Sequence, residues 1–127
     1  MNKLILILIT ALSGSAFAGS IIANNDLKMA AGDVNDVFTG EKSTIDGVKV
    51  VVVDNKSAMG DFCSKVMKMD TGKYTALWAK KAFRDGVPSP KSKTSDAEVI
   101  DFVKATSGAV GYISGAAGGG VKEVTSF

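Results

Sequence analysis

The residue types best suited to ligand chemistry lie in one polar turn, DNKSAMG, at 54–60. The turn separates a run of four valines, which predicts a strand, from an amphipathic segment that predicts a helix. The first N–H groups of a helix have no partner inside it and lie at the positive end of its dipole, so they attract anions. We therefore predict a site for phosphate or another small anion here. Its candidate members are Asn55, Lys56, Ser57 and Gly60.

Three of the four candidates have a separate chemical reason. Ser57 can donate its hydroxyl, Lys56 can supply positive charge, and Gly60 lets the backbone approach a ligand. The same turn also has a simpler interpretation, in which Ser57 is an ordinary helix N-cap. Asp54 and Asp61 flank the turn with negative charge that repels anions, and the G-x-x-x-x-G-K-[ST] pattern of a phosphate loop is missing. Taken alone, these residues favour the cap.

Residues for catalysis are scarce. The chain has no histidine, which removes the usual general base and the commonest zinc ligand. Its single cysteine, Cys63, excludes an internal disulfide and is either a reactive or bridging thiol or a small core residue. Because Cys63 shares one helical face with Phe62 and Val66, we predict the core position. We predict a protein that is not an enzyme and that needs no cofactor or metal.

Two other motifs suggest ligands but have simpler explanations. The glycine-rich run GAAGGG at 115–120 does not fit G-x-G-x-x-G, and no strong helix follows it, so a flexible loop is predicted. Tyr74 and Trp78 could stack on a sugar or base. At helical spacing beside Leu77 they instead predict core packing.

The first 18 residues form a predicted signal peptide. A positive start, Met1–Lys3, precedes the apolar run LILILITAL at 4–12, and Ala16 and Ala18 are small residues before a cleavage point. The alternative is a membrane anchor, but nine apolar residues span only about 14 Å as a helix against a bilayer core of about 30 Å. We predict a mature domain at 19–127 with no membrane span, periplasmic or secreted.

Charge and length narrow the function further. The 127 residues suffice for one domain. Their net charge is +2, and the mature chain is closer to neutral once Lys3 is removed. Without a basic field, nucleic acid is not a predicted partner.

The predicted elements place the turn inside an α/β domain. Four consecutive valines within a strand at 48–53 suggest that both of its faces are covered. Ser95–Glu98 is a capping box that starts a helix, whereas Pro88 and Pro90 predict an irregular segment at 84–94. Alternating strands and helices predict a single small α/β domain with a mixed sheet flanked by helices. The other predicted strands are 20–25, 109–113 and 121–124, and the other predicted helices are 27–38, 57–69 and 73–83.

Four segments in the same order resemble one family. The chain resembles the C-terminal lobe of the substrate-binding proteins of phosphate ABC transporters, in the periplasmic binding protein superfamily. The matching segments are DVNDVFTGEKSTIDG at 33–47, DNKSAMGDF at 54–62, LWAKKAFRDGVPSP at 77–90 and SDAEVIDFVKATSGAVGYIS at 95–114. The resemblance implies one lobe of a type II binding protein, export, and ligand binding without catalysis.

The resemblance also assigns residues and exposes departures from the family. Ser57 matches a ligand contact of the family, with Gly60 supporting the turn. An arginine common just before this loop is absent, and Asp54 stands there instead. Family members clamp their ligand between two lobes, and this chain supplies one. The alternative function is therefore an interaction or structural module of the cell envelope that has lost ligand binding and works through self-association or a protein partner.

Overall fold

The computed structural model describes residues 19–127, so the predicted signal peptide at 1–18 lies outside the described residues. Within 19–127, no helix is both long and apolar enough to cross a membrane. The elements in chain order are β1 (Ser20–Ala23), a 3-10 turn (Ala31–Asp33), α1 (Val34–Phe38), β2 (Thr44–Ile45), β3 (Val48–Lys49), β4 (Val51–Asn55), α2 (Met59–Phe62), a π-helical segment (Cys63–Met67), α3 (Thr71–Asp85), β5 (Lys91–Lys93), α4 (Asp96–Ala105), β6 (Ala109–Ile113) and β7 (Lys122–Ser126).

Five strands form one mixed sheet in the order β5-β4-β6-β1-β7. β4 runs parallel to β5 and β6, whereas β1 runs antiparallel to β6 and β7. β2 and β3 form a separate antiparallel hairpin. The predicted α/β domain with a mixed sheet flanked by helices is confirmed.

Alternating side chains divide the core between the two faces of the sheet. Along β6, Tyr112 packs into an aromatic cluster on one face, and Ile113 packs with Val99 and Val103 of α4 on the other. The period of two expected for a strand produces this division. The aromatic face holds Phe38, Phe62, Cys63, Tyr74, Trp78, Tyr112 and Phe127.

Three core predictions are confirmed. Tyr74 and Trp78 are almost fully buried, and the Trp78 indole N–H donates to the Phe38 carbonyl oxygen at 2.9 Å. Cys63 is also buried. Burial, together with the nearby carboxylates of Asp54 and Asp70, raises the pKa of the Cys63 thiol to about 11. The thiol therefore stays protonated at neutral pH and behaves as a small core residue.

The valine run does not form one fully covered strand. Val48 and Lys49 pair with β2, and the main strand begins at Val51. Val53 is fully buried, but Val50, Val51 and Val52 are partly exposed, so the prediction that both faces are covered is wrong there. The physical reason is that the segment leading into β5 leaves an open recess beside these valines.

Two predicted boundaries are also corrected. The segment predicted to be irregular at 84–94 contains β5, because parallel pairing with β4 holds Lys91–Lys93 extended after the two prolines. The helix predicted at 27–38 begins only at Ala31, although Leu27 and Met29 before it are still buried.

The predicted start of the helix at Ser95 is confirmed. The Ser95 hydroxyl accepts a hydrogen bond from the Glu98 backbone N–H at 3.3 Å. The Glu98 carboxylate accepts from the Thr94 backbone N–H at 3.0 Å rather than closing the box on Ser95. The capping interaction fixes the start of α4 next to the end of β5.

Candidate functional site

The predicted site residues lie where three parallel strands end. β4, β5 and β6 run in the same direction, so their carboxyl ends meet at one edge of the sheet. We call this region the carboxyl edge and define it by Asn55–Gly60, Asp96 and Ser114. In open α/β sheets, the crevice outside the carboxyl ends of strands is the usual place for a ligand.

Asn55 organises this edge but is not open to a ligand. Its side chain is fully buried. The amide donates to Asp96 Oδ1 at 2.8 Å and to the Tyr112 carbonyl oxygen at 3.1 Å. The amide oxygen accepts from the Ser57 backbone N–H at 3.0 Å and from the Ser57 hydroxyl at 2.6 Å. Asn55 therefore fixes the shape of the turn.

Ser57 is exposed and does not cap the following helix. The helix begins at Met59, two residues later than predicted, and Ala58 in the cap position makes no side-chain capping bond. The interpretation of Ser57 as an N-cap is therefore wrong. Instead, the Ser57 hydroxyl and the Ser57 backbone N–H both donate to the Asn55 side-chain oxygen. A turn closed by an asparagine side chain in this way is a common alternative to helix capping.

Gly60 and Lys56 lie on the open side of the turn. The first helical hydrogen bond runs from the Phe62 backbone N–H to the Ala58 carbonyl oxygen, at 3.0 Å. The backbone N–H groups of Met59, Gly60 and Asp61 precede this bond and have no carbonyl partner within the helix. A Cβ built on Gly60 would meet no atom within 4 Å. Within 19–127, exposed Lys56 makes no salt bridge.

The sequence did not identify Asp96 and Ser114 as members of this region. The Ser114 backbone N–H donates to Asp96 Oδ1 at 3.0 Å, and its hydroxyl donates to Oδ2 at 2.8 Å. Burial alone would raise the pKa of Asp96, but the hydrogen bonds from Ser114, Asn55 and Gly115 together lower it. The protein's own Asp96 carboxylate thus accepts hydrogen bonds from donor groups at the carboxyl edge.

Asp54 points away from this edge into the aromatic core. Its Oδ1 atom accepts from the Tyr74 hydroxyl at 2.8 Å and from the Tyr112 hydroxyl at 3.0 Å. Burial raises the pKa of Asp54, and the two tyrosine hydrogen bonds only partly oppose this effect. Asp54 is therefore a buried carboxyl group that joins the hydroxyl groups of two core tyrosines.

Asp54→Asn is expected to flatten part of the pH dependence of stability. A carboxyl pKa raised by folding contributes stability below the unfolded value, near 3.8, and that contribution is lost as pH rises through the folded pKa. Asparagine stays neutral and keeps an oxygen acceptor for both tyrosines. Urea unfolding between pH 4 and 8 measures the free energy of unfolding of both proteins. The value for the variant minus that for the wild type should become more positive as pH rises.

Asp101→Asn, at an exposed position on α4, is the matched control and should show no such trend. If Asp54→Asn instead became progressively less stable than the wild type as pH rises, the raised pKa of Asp54 would be contradicted.

Comparisons with known proteins show which solved structures share the fold of this chain. Neither a protein-family model nor a curated protein matches the sequence. An ABC-type phosphate transport receptor from Vibrio cholerae has a TM-score of 0.55 at 15% identity, covering 85% of this chain and 45% of that one. A putative phosphate ABC transporter substrate-binding protein with bound phosphate from Clostridium perfringens has a TM-score of 0.54 at 17% identity, covering 85% and 44%.

The chain therefore spans about 45% of the length of the receptors it resembles, a share consistent with one lobe. The resemblance to phosphate ABC transporter substrate-binding proteins is confirmed at the level of the fold.

Proposed function

We propose that the protein is an exported, non-enzymatic solute-binding domain that takes phosphate or a similar small anion at the 55–60 turn. One observation carries the proposal. The turn after β4 presents the N–H groups of Met59, Gly60 and Asp61, without a side chain on the middle residue, at the carboxyl edge of a phosphate-receptor fold. Exposed Lys56 adds positive charge beside them.

A single lobe leaves this turn open on one side. Sites for small ligands normally bury most of the ligand surface. We therefore propose that a second copy of this chain or another protein of the cell envelope covers the carboxyl edge when the anion is held. The proposed location, periplasmic or secreted, rests on the predicted signal peptide and on the transport proteins that share the fold.

Calorimetric titration of phosphate into residues 19–127, dialysed free of phosphate, is expected to show saturable heat. Ser57→Ala should weaken the affinity about three- to tenfold, because the hydroxyl, which donates to the Asn55 side-chain oxygen in the structure, would turn to the anion, and the variant loses that hydrogen bond. Ser64→Ala, an exposed serine on the π-helical segment, is the matched control and should leave the affinity unchanged. Sulfate serves as the comparison ion.

Two results would refute this placement: no heat at millimolar phosphate, or equal affinities for the wild type and Ser57→Ala. Unfolding curves for both serine variants show whether any loss reflects the ligand contact or a general loss of stability.

A second function has its own supporting observation. The side-chain donors of Asn55, Ser57 and Ser114 all bond to acceptors within the protein, and the Asp96 carboxylate engages two of the three residues. An edge satisfied in this way suits an interaction or structural module of the envelope that has lost ligand binding. Light scattering at high concentration would then show self-association, or a partner would be captured from envelope extracts. A strictly monomeric chain that captures no partner would exclude this function.

A further inference from the structure

A mostly apolar cavity of about 270 Å³ lies at the opposite end of the parallel strands from the 55–60 turn. We call it the amino-end cavity, because its walls include the first residues of β4 and β5, Val51 and Lys91. β4 has five residues, so about 13 Å separates its two ends. A ligand here would leave the carboxyl edge free.

The walls are built from hydrocarbon. Val50 and Val52, which pack on the same face of the sheet as Trp78, form one side, and Val87 and the two prolines before β5 form another. The Trp78 ring closes the cavity near Gly40, at which a Cβ would come within 3.2 Å of the indole. The partial exposure of the valine run therefore coincides with a defined concave surface, of the kind that binds small apolar molecules.

The charges around this cavity all have one sign. Lys42, Lys49 and Lys91 line it, and no aspartate or glutamate does. Lys42 is neutralised by a 2.9 Å salt bridge to Asp33. Within the described chain, exposed Lys49 and Lys91 make no salt bridge, so two positive charges remain for a ligand.

We propose that the amino-end cavity binds a small amphipathic anion, a carboxylate with a hydrocarbon chain. The hydrocarbon occupies the space between the valines and Trp78, and the carboxylate lies near Lys49 and Lys91. The proposal is independent of anion binding at the 55–60 turn, because the two sites share no residue.

Intrinsic fluorescence offers a direct test, since Trp78 is the only tryptophan in the chain. Titration of residues 19–127 with butanoate, hexanoate and octanoate should change its emission saturably. Each buried methylene should tighten the dissociation constant about three- to fourfold. Octanol should bind more weakly than octanoate, because it lacks the charge that the lysines attract.

The paired substitution Lys49→Gln with Lys91→Gln is expected to weaken the binding of octanoate about three- to tenfold, because each exposed charge contributes only modestly to binding. Both lysines are exposed, so the fold should tolerate the change. Lys73→Gln with Lys80→Gln on the exposed side of α3 is the matched control and should have no effect.

Several outcomes would overturn the proposal. They are no saturable response at millimolar octanoate, equal binding of octanol and octanoate, or equal weakening by the control pair. A Trp78 shift that follows protein concentration without ligand, together with a doubled mass in light scattering, would show that a second copy fills the cavity instead.

Discussion

Phe62→Ala is expected to destabilise the fold by about 3–5 kcal/mol, as large-to-small changes of buried aromatics do. Phe62 has no exposed surface and lies at the centre of the aromatic face. Its ring stacks on Tyr112 with centroids 3.9 Å apart and meets Phe38 at 4.9 Å and Phe127 at 6.0 Å. Removing it opens a cavity that rings from three other parts of the chain cannot fill.

Urea unfolding of residues 19–127 measures this loss. Phe83→Ala is the matched control, because Phe83 is 94% exposed at the end of α3. Its free energy of unfolding should stay within about 0.5 kcal/mol of the wild type. A loss below about 1 kcal/mol for Phe62→Ala, or equal losses for both variants, would show that the aromatic face is not the main source of stability.

Asn55→Ala is the second large effect, with an expected loss of about 2–4 kcal/mol. The substitution removes four hydrogen bonds at once and leaves the Tyr112 carbonyl, the Asp96 carboxylate and the Ser57 N–H without this partner. Buried groups that lose their partner each cost about 1–3 kcal/mol, and water reaching the exposed side of the turn recovers part of that cost.

The local consequence distinguishes Asn55 from an ordinary polar residue. Hydrogen exchange of the Ser57 amide should accelerate in Asn55→Ala by more than the global loss of stability explains, because the turn itself loosens. Asn35→Ala, at an exposed position on α1, is the control and should change neither quantity. If the Ser57 amide exchanges only as fast as the global loss predicts, another contact holds the turn in place.

The fold class was predictable because its signals are local. Alternating apolar runs and helical periods are properties of short segments, and the capping sequence at Ser95 marks a helix start within four residues. β5 was missed, since Lys-Ser-Lys has no strand pattern and becomes extended only through its pairing with β4. Tertiary pairing decided that element against local preference.

The turn at 55–60 could be predicted from the sequence, but its contacts with distant residues could not, for the same reason. A polar turn between a strand and a helix is visible in the sequence, which located Asn55 to Gly60. The contacts of Asn55 with Asp96 span 41 residues, and those of Asp96 with Ser114 span 18. They exist because α4 starts beside the ends of β4 and β6, which are neighbours in the sheet, and a single sequence does not specify this arrangement. Ser57 could cap the helix or bond within the turn, and its hydrogen bonds to Asn55 place it in the turn.

The position of β1 in the sheet has a consequence for the order of folding. β1 lies between β6 and β7, so its hydrogen-bonding partners come from the other end of the described chain. The Ser20 hydroxyl, for example, donates to a carbonyl oxygen 95 residues away. Contacts this distant in sequence close late and slow the search for the native state. A nascent chain that has emerged only as far as α4 has neither partner of β1, so the first strand stays unpaired until the last strands are present.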